Sequence, residues 1–428
     1  MLNRIIWLIA SSLIIISGIY FTFKFKFVQF RFIKMIKSLK IKTTNNNTIK
    51  PFSSLMMVLA GRIGVGGIAG IAISIYYGGI GSIFWMWISS ILAASLTFLE
   101  TVLGTIYQKK DSDNISKGGP SYYIKYGLNN KVLGDVYAII IILSDIFGFI
   151  SIQTNTITHS LQEIINIESK IIGIIICILV LFIIFGGVRR IANFSVKIVP
   201  VMTLLYLSVC FVIIISNIEK IPHIFMQIFK SAFNFKAVSG GILGTAIIGI
   251  QRGIFSSEAG IGTGAIASSA TETNTNEEKV SQGYTQMIGV YITTFLICTS
   301  TALVILVSNI LGLNFSNLNG IEIIQIVFTK YMGGFGNYFI FIIIFLFSFT
   351  TILSSYYNAE SSLKYFINKP KKSLKILKAF TLISIFMGAV SSSNIIWTFI
   401  DIFVGLLAII NIYALIKLKE KVINILNK

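Results

Sequence analysis

The sequence predicts an all-α, polytopic membrane protein, and three observations carry that prediction. Of the 428 residues, 55% are hydrophobic and only 12% are charged, and the mean hydropathy is +0.84. A soluble protein carries about 25% charged residues. Apolar runs of about 20 residues, the length that crosses the hydrocarbon layer as a helix, recur along the whole chain. A membrane β-barrel would instead show short segments of alternating hydrophobicity.

We expect about eleven transmembrane helices. The first is an extra N-terminal helix, which we expect to remain as an anchor because no clear small-residue cleavage site follows it. The predicted spans cover residues 5–23, 52–76, 82–108, 132–158, 171–187, 191–216, 241–268, 285–310, 336–362, 374–390 and 395–416.

Lysine and arginine are distributed unevenly between the two sides of these spans. Eight basic residues lie between Lys24 and Lys50, and five more lie between Lys109 and Lys131 on the same side. Connections rich in Lys and Arg stay in the cytoplasm. The sequence therefore predicts a plasma-membrane protein with its N-terminus outside and its C-terminus in the cytoplasm. The net charge of +19 follows from topology, so we expect membrane lipids and no nucleic acid as partners.

Several function classes are not indicated. The three cysteines lie inside apolar runs, which predicts neither disulfides nor a metal cluster. We find no nucleophile–base pair and no metal-ligand spacing, so we expect neither an enzyme nor a cofactor. The spacing of Gly64, Gly66 and Gly70 resembles a nucleotide-binding pattern, but it lies inside a span with no strand before it.

The second span contains an unusual stretch, GRIGVGGIAGIAIS, between Gly61 and Ser74. It has five glycines within ten residues and an arginine. Two explanations remain open. Small residues allow close packing of membrane helices, whereas an unwound backbone at membrane depth is tolerated where it lines a cavity.

A second interrupted stretch, RGIFSSEAGIGTG at residues 252–264, lies in the seventh span. Paired interruptions in corresponding positions are typical of transporters built from inverted repeats. We therefore divide the chain into an anchor with a basic cytoplasmic segment (1–50) and a transporter core (51–428), with repeats at about 51–216 and 241–416. Half-helix N-termini bind carboxylates and unwound carbonyls bind small cations, which predicts cation-coupled uptake of a small carboxylate solute.

Five motifs resemble those of the alanine or glycine:cation symporters. They are LAGRIGVGGIAGIAISIYYGGIGSIFWMW (59–87), SKGGPSYYI (116–124), FGFISIQTNTI (147–157), RGIFSSEAGIGTGAIASSA (252–270) and FLFSFTTILSSYYNAE (345–360). The resemblance covers nearly the whole chain. It implies a leucine-transporter-type fold, with broken first and sixth core helices, that carries alanine or glycine together with sodium, or in some members with protons.

The resemblance also implies site residues. The substrate carboxylate would meet the amides of Val65, Gly66 and Gly67, and the rest of the substrate would meet Phe255, Ser256 and Ser257, with Gln153 and Asn155 facing the site. The implied sodium ligands are the carbonyls of Ala60 and Ile63 and the hydroxyls of Thr350 and Thr351.

Each of these roles has an alternative that the sequence leaves open. The two threonines could donate to their own preceding turn, and Gln153 and Asn155 could join helices. We expect Glu258 to pair with Arg62 or Arg252 and to hold the two broken helices together. The alternative is that each charge contacts water near an interface.

The chain departs from the family pattern at the site itself. Members usually read G-T-G-N where this chain reads Gly64–Val65–Gly66–Gly67, and Ser257 replaces an asparagine. A site built to hydrogen-bond its ligand loses discrimination with those groups. The leading prediction is sodium-coupled symport of a small neutral amino acid, and the alternative is a diverged, non-transporting or sensor-like paralogue.

Overall fold

The computed structural model describes residues 2–40, 49–111, 115–234, 241–309, 320–367 and 371–426, with residues 241 and 242 described by their backbone alone. Helices make up most of these residues, and a short antiparallel ladder pairs Lys109–Lys110 with Ser116–Lys117. The predicted all-α class is confirmed. In chain order the helices are α1 (Leu2–Lys24), α2 (Phe32–Ser38), α3 (Pro51–Arg62), α4 (Ala69–Gly78), α5 (Ser82–Ile106), α6 (Pro120–Gly127), α7 (Lys131–Leu143), α8 (Ser151–Gln162), α9 (Ser169–Ile184), α10 (Gly187–Ile215), α11 (Ile221–Ala232), α12 (Gly241–Ser257), α13 (Thr263–Ser268), α14 (Asn276–Tyr291), α15 (Thr299–Val307), α16 (Gly320–Met332), α17 (Phe335–Phe366), α18 (Lys371–Val390) and α19 (Ser393–Leu426).

Eight helical segments of the described chain are long and apolar enough to cross a membrane: α1, α5, α7 with α8, α10, α14 with α15, α17, α18 and α19. Two pairs, α7–α8 and α14–α15, are each continuous through a π-helical segment, at Ser144–Ile150 and Ile292–Cys298. Adding α9 and the two interrupted segments, α3–α4 and α12–α13, gives a helix at each predicted span. The number of crossings and the inverted repeat stay predictions.

Some helices extend beyond the predicted spans. α10 begins at Gly187 rather than near residue 191, and α19 continues to Leu426 rather than ending near residue 416. Lys and Glu are good helix formers, and Leu418 and Val422 stay buried against the rest of the molecule. The helix α19 therefore continues past the end of the apolar run from which it was predicted.

The N-terminal helix α1 packs closely on the rest of the protein. A Cβ at Gly18 would lie 2.7 Å from the Cβ of Leu92 on α5, and Trp7 donates its indole N–H to the Asp401 carbonyl on α19 at 2.9 Å. The proposed division at residues 50 and 51 stays a prediction. Residues 41–48 of the basic segment lie outside the described residues.

Two long helices position the interrupted segments. α5 packs against α12, α13 and α14, and α17 packs against α3, α7, α8 and α10. Each broken helix therefore has a continuous helix beside it, and both breaks lie in the buried interior, where polar backbone groups need partners from neighbouring side chains.

Candidate functional site

The first break separates α3 from α4 and is fully buried. α3 ends at Arg62, Val65–Gly67 form one turn of 3-10 helix, and α4 begins at Ala69. The Gly67 N–H donates to the Gly64 carbonyl at 3.2 Å. Of the first-turn N–H groups of α4, those of Ile71 and Ala72 donate to the Ile68 carbonyl at 3.2 and 3.3 Å, which leaves those of Ala69 and Gly70 as the donors at the break.

The glycines of this break provide space. Residues 61–70 all avoid positive φ, so left-handed backbone is not the reason for them. A Cβ at Gly64 would lie 2.6 Å from Thr351 Oγ1, and one at Gly66 would lie 2.8 Å from Phe255 Cδ1. Both explanations from the sequence therefore hold together, because the helix is interrupted and its glycines allow close approach.

The second break, between α12 and α13, has a different backbone. Glu258, Gly260 and Gly262 have φ of 51°, 83° and 93°. Neighbouring side chains donate hydrogen bonds to its backbone carbonyls. The Tyr137 hydroxyl donates to the Ile261 carbonyl, and Asn411 Nδ2 donates to the Gly260 carbonyl at 2.9 Å. The Gly260 and Ile261 carbonyls of this turn are therefore already engaged by neighbouring side chains.

The two breaks meet around Phe255. Its ring stacks on Phe149 at 5.3 Å between centroids and lies 5.0 Å from the ring of Trp397. Gly66 approaches the edge of the same ring. The structure therefore brings together the glycines of the first break and Phe255 of the sixth core helix, and their roles in binding stay predictions. Phe149 and Trp397 were not predicted as site residues, because aromatic character was their only signal in the sequence.

The neighbouring serines are both engaged. Ser256 Oγ lies 3.0 Å from Cys298 Sγ, and the position of a Cβ on Gly67 would be 3.6 Å from Ser256 Oγ. Ser257 ends α12, and its Oγ accepts from the Ala259 N–H at 3.4 Å. Ser256 therefore faces the first break, whereas Ser257 supports the turn of the second.

Gln153 and Asn155 lie on α8 and do different things. Gln153 Oε1 accepts from the Val65 N–H at 3.1 Å, which places it at the break. Asn155 Nδ2 donates to the carbonyls of Gly388 and Ser391 at 3.1 and 2.7 Å, so it ties α8 to the end of α18. Of the two roles that the sequence left open for this residue, Asn155 therefore has the one that joins helices.

A small cavity of about 50 Å³ lies beside this site, on the face opposite the basic connections. Ala69, Asn155 and Trp397 belong to its lining. Trp397 also contacts Phe255, so one wall of the cavity packs on the ring that Gly66 approaches.

The two adjacent threonines of α17 point in different directions. Thr351 Oγ1 lies 2.9 Å from the Ala60 carbonyl and 3.3 Å from the Gly61 carbonyl, and it is also 3.0 Å from the Phe347 carbonyl of its own helix. Thr350 Oγ1 donates to the Phe347 carbonyl at 3.0 Å and lies 3.8 Å from Met202 Sδ on α10. The hydroxyl pair was predicted as one ligand set, but only Thr351 reaches the first break.

The predicted pairing of Glu258 with Arg252 is wrong. Arg252 Nη2 forms an ion pair with Asp401 Oδ2 on α19 at 2.8 Å, and its guanidinium lies 4.7 Å from the Trp397 ring centroid. The Arg252 side chain therefore contacts α19 rather than Glu258. Asp401, which lies in the last predicted span, was not among the partners expected for Arg252.

Arg62 lies near Glu258 without a direct ion pair between the described atoms. Arg62 Nη1 donates to the Gln286 carbonyl at 3.0 Å, and Glu258 Oε2 accepts from Thr263 Oγ1 at 2.5 Å. Glu258 Oε1 lies 3.6 Å from the position of a Cβ on Gly61. The carboxylate of the second break therefore faces the end of α3, and the charge link between the two breaks stays a prediction.

The basic face is the end of the bundle that carries the Lys- and Arg-rich connections. There, the ion pair of Lys364 with Asp111 joins α17 to the connection before α6. Lys364 Nζ lies 3.0 Å from Asp111 Oδ2 and 3.2 Å from Glu360 Oε1. Burial acts to raise the pKa of the Asp111 carboxyl, but the Ile115 N–H and the Lys364 ammonium together hold that pKa below its ordinary value. Glu360 and Lys364 also line a cavity of about 420 Å³ at this end of the bundle, opposite the small cavity.

A sequence profile of the sodium:alanine symporter family matches residues 1–428. The chain belongs to the sodium:alanine symporter family. The resemblance found in the sequence is thereby confirmed, and the family is one of transporters rather than enzymes. This chain is therefore a sodium-coupled amino-acid symporter.

Individual relatives agree on the class and differ in the solute named. The probable sodium/glutamine symporter GlnT of Bacillus subtilis is 38% identical, over 98% of this chain and 87% of that protein. The amino-acid carrier protein AlsT of the same species is 35% identical, over 96% and 87%. The sodium/proton-dependent alanine carrier protein of Bacillus sp. strain PS3 is 35% identical, over 90% and 88%.

Among solved structures, a Na⁺-coupled sialic acid symporter in a substrate-bound, outward-open state matches 96% of this chain and 84% of its own, with a TM-score of 0.54 and 15% identity. This likeness shows the fold alone. It confirms that the family member described here has the leucine-transporter-type architecture.

Proposed function

We propose that this chain carries alanine or glycine into the cell together with sodium, by alternating access across the plasma membrane. The observation that carries the proposal is the meeting of the two helix breaks at Gly66 and Phe255. Paired breaks at membrane depth supply amide donors and carbonyl acceptors at one place, which is what an amino acid and a cation need.

The substrate carboxylate would bind the amides of Val65, Gly66 and Gly67 and the N-terminal turn of α4. Gln153 Oε1 now accepts from the Val65 N–H. The carboxylate would take over that hydrogen bond, and the released Gln153 amide could then donate to the same carboxylate. Without a threonine or asparagine in the first break, recognition rests on backbone and Gln153.

The walls of the site favour a small side chain. A Cβ at Gly67 would lie 3.3 Å from Ile297 Cγ2, and one at Gly66 would meet the Phe255 ring. Ser256 Oγ is already near Cys298 Sγ. A methyl group or a hydrogen suits these surroundings better than the side-chain amide of glutamine, which would need its own polar partners.

Sodium would bind where Thr351 meets the end of α3. The Ala60 and Gly61 carbonyls lie 2.9 and 3.3 Å from Thr351 Oγ1, and the Ile63 carbonyl lies just beyond in the break. Oxygen ligands of this kind suit a hard cation. In this proposal Thr350 is outside the ion's coordination.

Opening toward the outer side would require Trp397 to leave Phe255, because Trp397 lines the small cavity and packs on the Phe255 ring at the site. Opening toward the cytoplasm would require α3 to separate from Glu258 and α17. Binding of sodium at Ala60 and Thr351 would hold α3 against α17, and this couples the ion to the conformational change.

The test is uptake of radiolabelled alanine, glycine and glutamine into proteoliposomes, with and without an inward sodium gradient. We expect accumulation of alanine and glycine that depends on the gradient. Accumulation of glutamine in preference to both would contradict the proposed solute. Binding of amino acid by the purified protein without any uptake would favour the sensor-like alternative.

The proposed orientation can be tested by cysteine labelling in intact cells. Lys170 at the start of α9 and Lys372 at the start of α18 are both exposed and lie on opposite faces. We expect a membrane-impermeant maleimide to label Lys170→Cys directly and Lys372→Cys only after permeabilisation. The reverse pattern would contradict an external N-terminus.

A further inference from the structure

Asp145 is a buried acidic residue that the proposed mechanism does not use. It lies in the π-helical segment Ser144–Ile150 and is 1% exposed. Its side chain contacts Ser355 and Asn358 on α17, which are themselves 3% and 4% exposed. Single π turns inside α-helices occur frequently at functional sites, and this one re-aims a carboxylate at α17.

This carboxylate lacks a compensating positive charge. The ion pairs among the described residues do not include Asp145, and the charged group that acts on it is a second carboxylate, Glu258. A buried ionised carboxylate costs several kcal/mol unless a cation neutralises it. A cation bound here would supply the positive charge that the described surroundings of Asp145 lack.

The oxygens available form a suitable set. Asp145 Oδ2 and Asn358 Oδ1 are both buried and without a hydrogen-bond partner, and Ser355 supplies a hydroxyl. A carboxylate, an amide carbonyl and a hydroxyl are ligands that a hard cation such as sodium prefers. Two unpartnered oxygens in one buried cluster are costly when nothing binds them.

The cluster also lies in line with the sodium site at Thr351. Ser355 and Asn358 follow Thr351 by four and seven residues, so all three share one face of α17. At about 1.5 Å per residue, Ser355 and Asn358 lie about 6 to 10 Å farther along α17 than Thr351. This places the cluster nearer than Thr351 to the basic face, which is the proposed cytoplasmic side.

We propose that Asp145, Ser355 and Asn358 form a second sodium site between α7 and α17, on the cytoplasmic side of the site at Thr351. This inference rests on the proposed function, in which the coupling ion is sodium. An ion there would neutralise Asp145 and join the π-helical segment to α17, so two ions would bind for each amino acid carried.

The experiment measures equilibrium binding of ²²Na⁺ to the purified full-length protein without amino acid. We expect two ions per chain for the wild type and one for Asp145→Asn, whose amide keeps the shape and removes the charge. Ser355→Ala should keep two ions but weaken one about tenfold. It also keeps the test valid if Asp145→Asn fails to fold.

Asp135→Asn is the matched control. Asp135 is on α7, ten residues before Asp145, and accepts from the Tyr365 hydroxyl at 2.8 Å, so the same chemical change there should leave two ions bound. Two bound ions in folded Asp145→Asn, or unaltered affinities in Ser355→Ala, would overturn the second site and leave the proposed function intact. A wild type that binds no sodium would overturn both. Equal loss in Asp135→Asn would also overturn the assignment, since the effect would then follow from removing any α7 carboxylate.

Discussion

The two helix breaks contain similar glycine-rich stretches, but their glycines are needed for different reasons. In the first break, residues 61–70 avoid positive φ and the glycines allow Thr351 and Phe255 to approach. In the second, Gly260 and Gly262 have φ of 83° and 93°. We propose that the first is a binding surface made of backbone, whereas the second is a turn with left-handed backbone beside it.

This comparison predicts its largest effect at Gly262. A Cβ there would lie 2.2 Å from Pro120 Cγ and 2.5 Å from the Tyr137 hydroxyl oxygen, with φ at +93°. Gly262→Ala should lower the free energy of unfolding by about 4 kcal/mol, from backbone strain and overpacking together. The measurement is folded yield and thermal unfolding in detergent.

Gly333→Ala separates the two causes. Gly333 has φ of +61° with nothing within 4 Å of the Cβ position, so only the backbone cost of about 1 to 2 kcal/mol remains. Equal destabilisation by both variants would mean that the contacts of Gly262 with α6 and α7 contribute nothing to the second break.

The second prediction concerns the charge that anchors the helix before the second break. Arg252→Gln leaves Asp401 buried without its ion pair, which should cost about 3 kcal/mol. The exchange Arg252→Asp with Asp401→Arg should recover part of that loss in thermal unfolding, whereas exchanging Arg252 with Glu258 should recover none.

Lys24→Gln is the control for this pair. Lys24 lies 3.8 Å from Glu420, with 40% and 60% of the two side chains exposed, and exposed pairs contribute little. We expect a change below about 0.5 kcal/mol. A loss as large as that of Arg252→Gln would show that general charge removal, not the buried pair, destabilises the protein.

The comparison also shows what the sequence could predict. The breaks were found because glycine runs inside apolar spans are rare, and the family motifs assigned both Gly66 and Phe255 to one site, where the structure brings them into contact. Which arginine faces which acid was not predictable, because Arg62, Arg252, Glu258 and Asp401 all lie in apolar runs and their partners depend on helix rotation. Likewise, adjacent Thr350 and Thr351 look equivalent, yet they are about 100° apart around α17.

The third prediction tests whether the first break is a binding surface. Gly66→Ala places a Cβ 2.8 Å from Phe255 Cδ1, and the Phe255 ring is held between Phe149 and Trp397. We expect the protein to fold and the KM for alanine to rise roughly 30-fold, equal to about 2 kcal/mol. Uptake kinetics in proteoliposomes measure this.

Gly70→Ala is the matched control on the same segment. Its Cβ would lie 3.8 Å from the Val65 carbonyl and 3.9 Å from Trp397, which is ordinary contact. Uptake should stay within about twofold of the wild type. If Gly66→Ala behaves like Gly70→Ala, the close approach to Phe255 has no part in substrate binding.

The last prediction distinguishes Thr351, which faces the first break, from Thr350, which faces α10. Thr351→Ala removes the hydroxyl that reaches the Ala60 and Gly61 carbonyls, so the sodium concentration for half-maximal uptake should rise about tenfold, equal to about 1.4 kcal/mol. Thr351→Ser keeps the hydroxyl and should recover most of the affinity. Thr350→Ala removes a hydroxyl that bonds its own helix, and its sodium dependence should stay within about twofold. Equal effects of both alanine variants would mean that sodium binds the hydroxyl pair as one unit, after a rotation of α17 that the present arrangement does not contain.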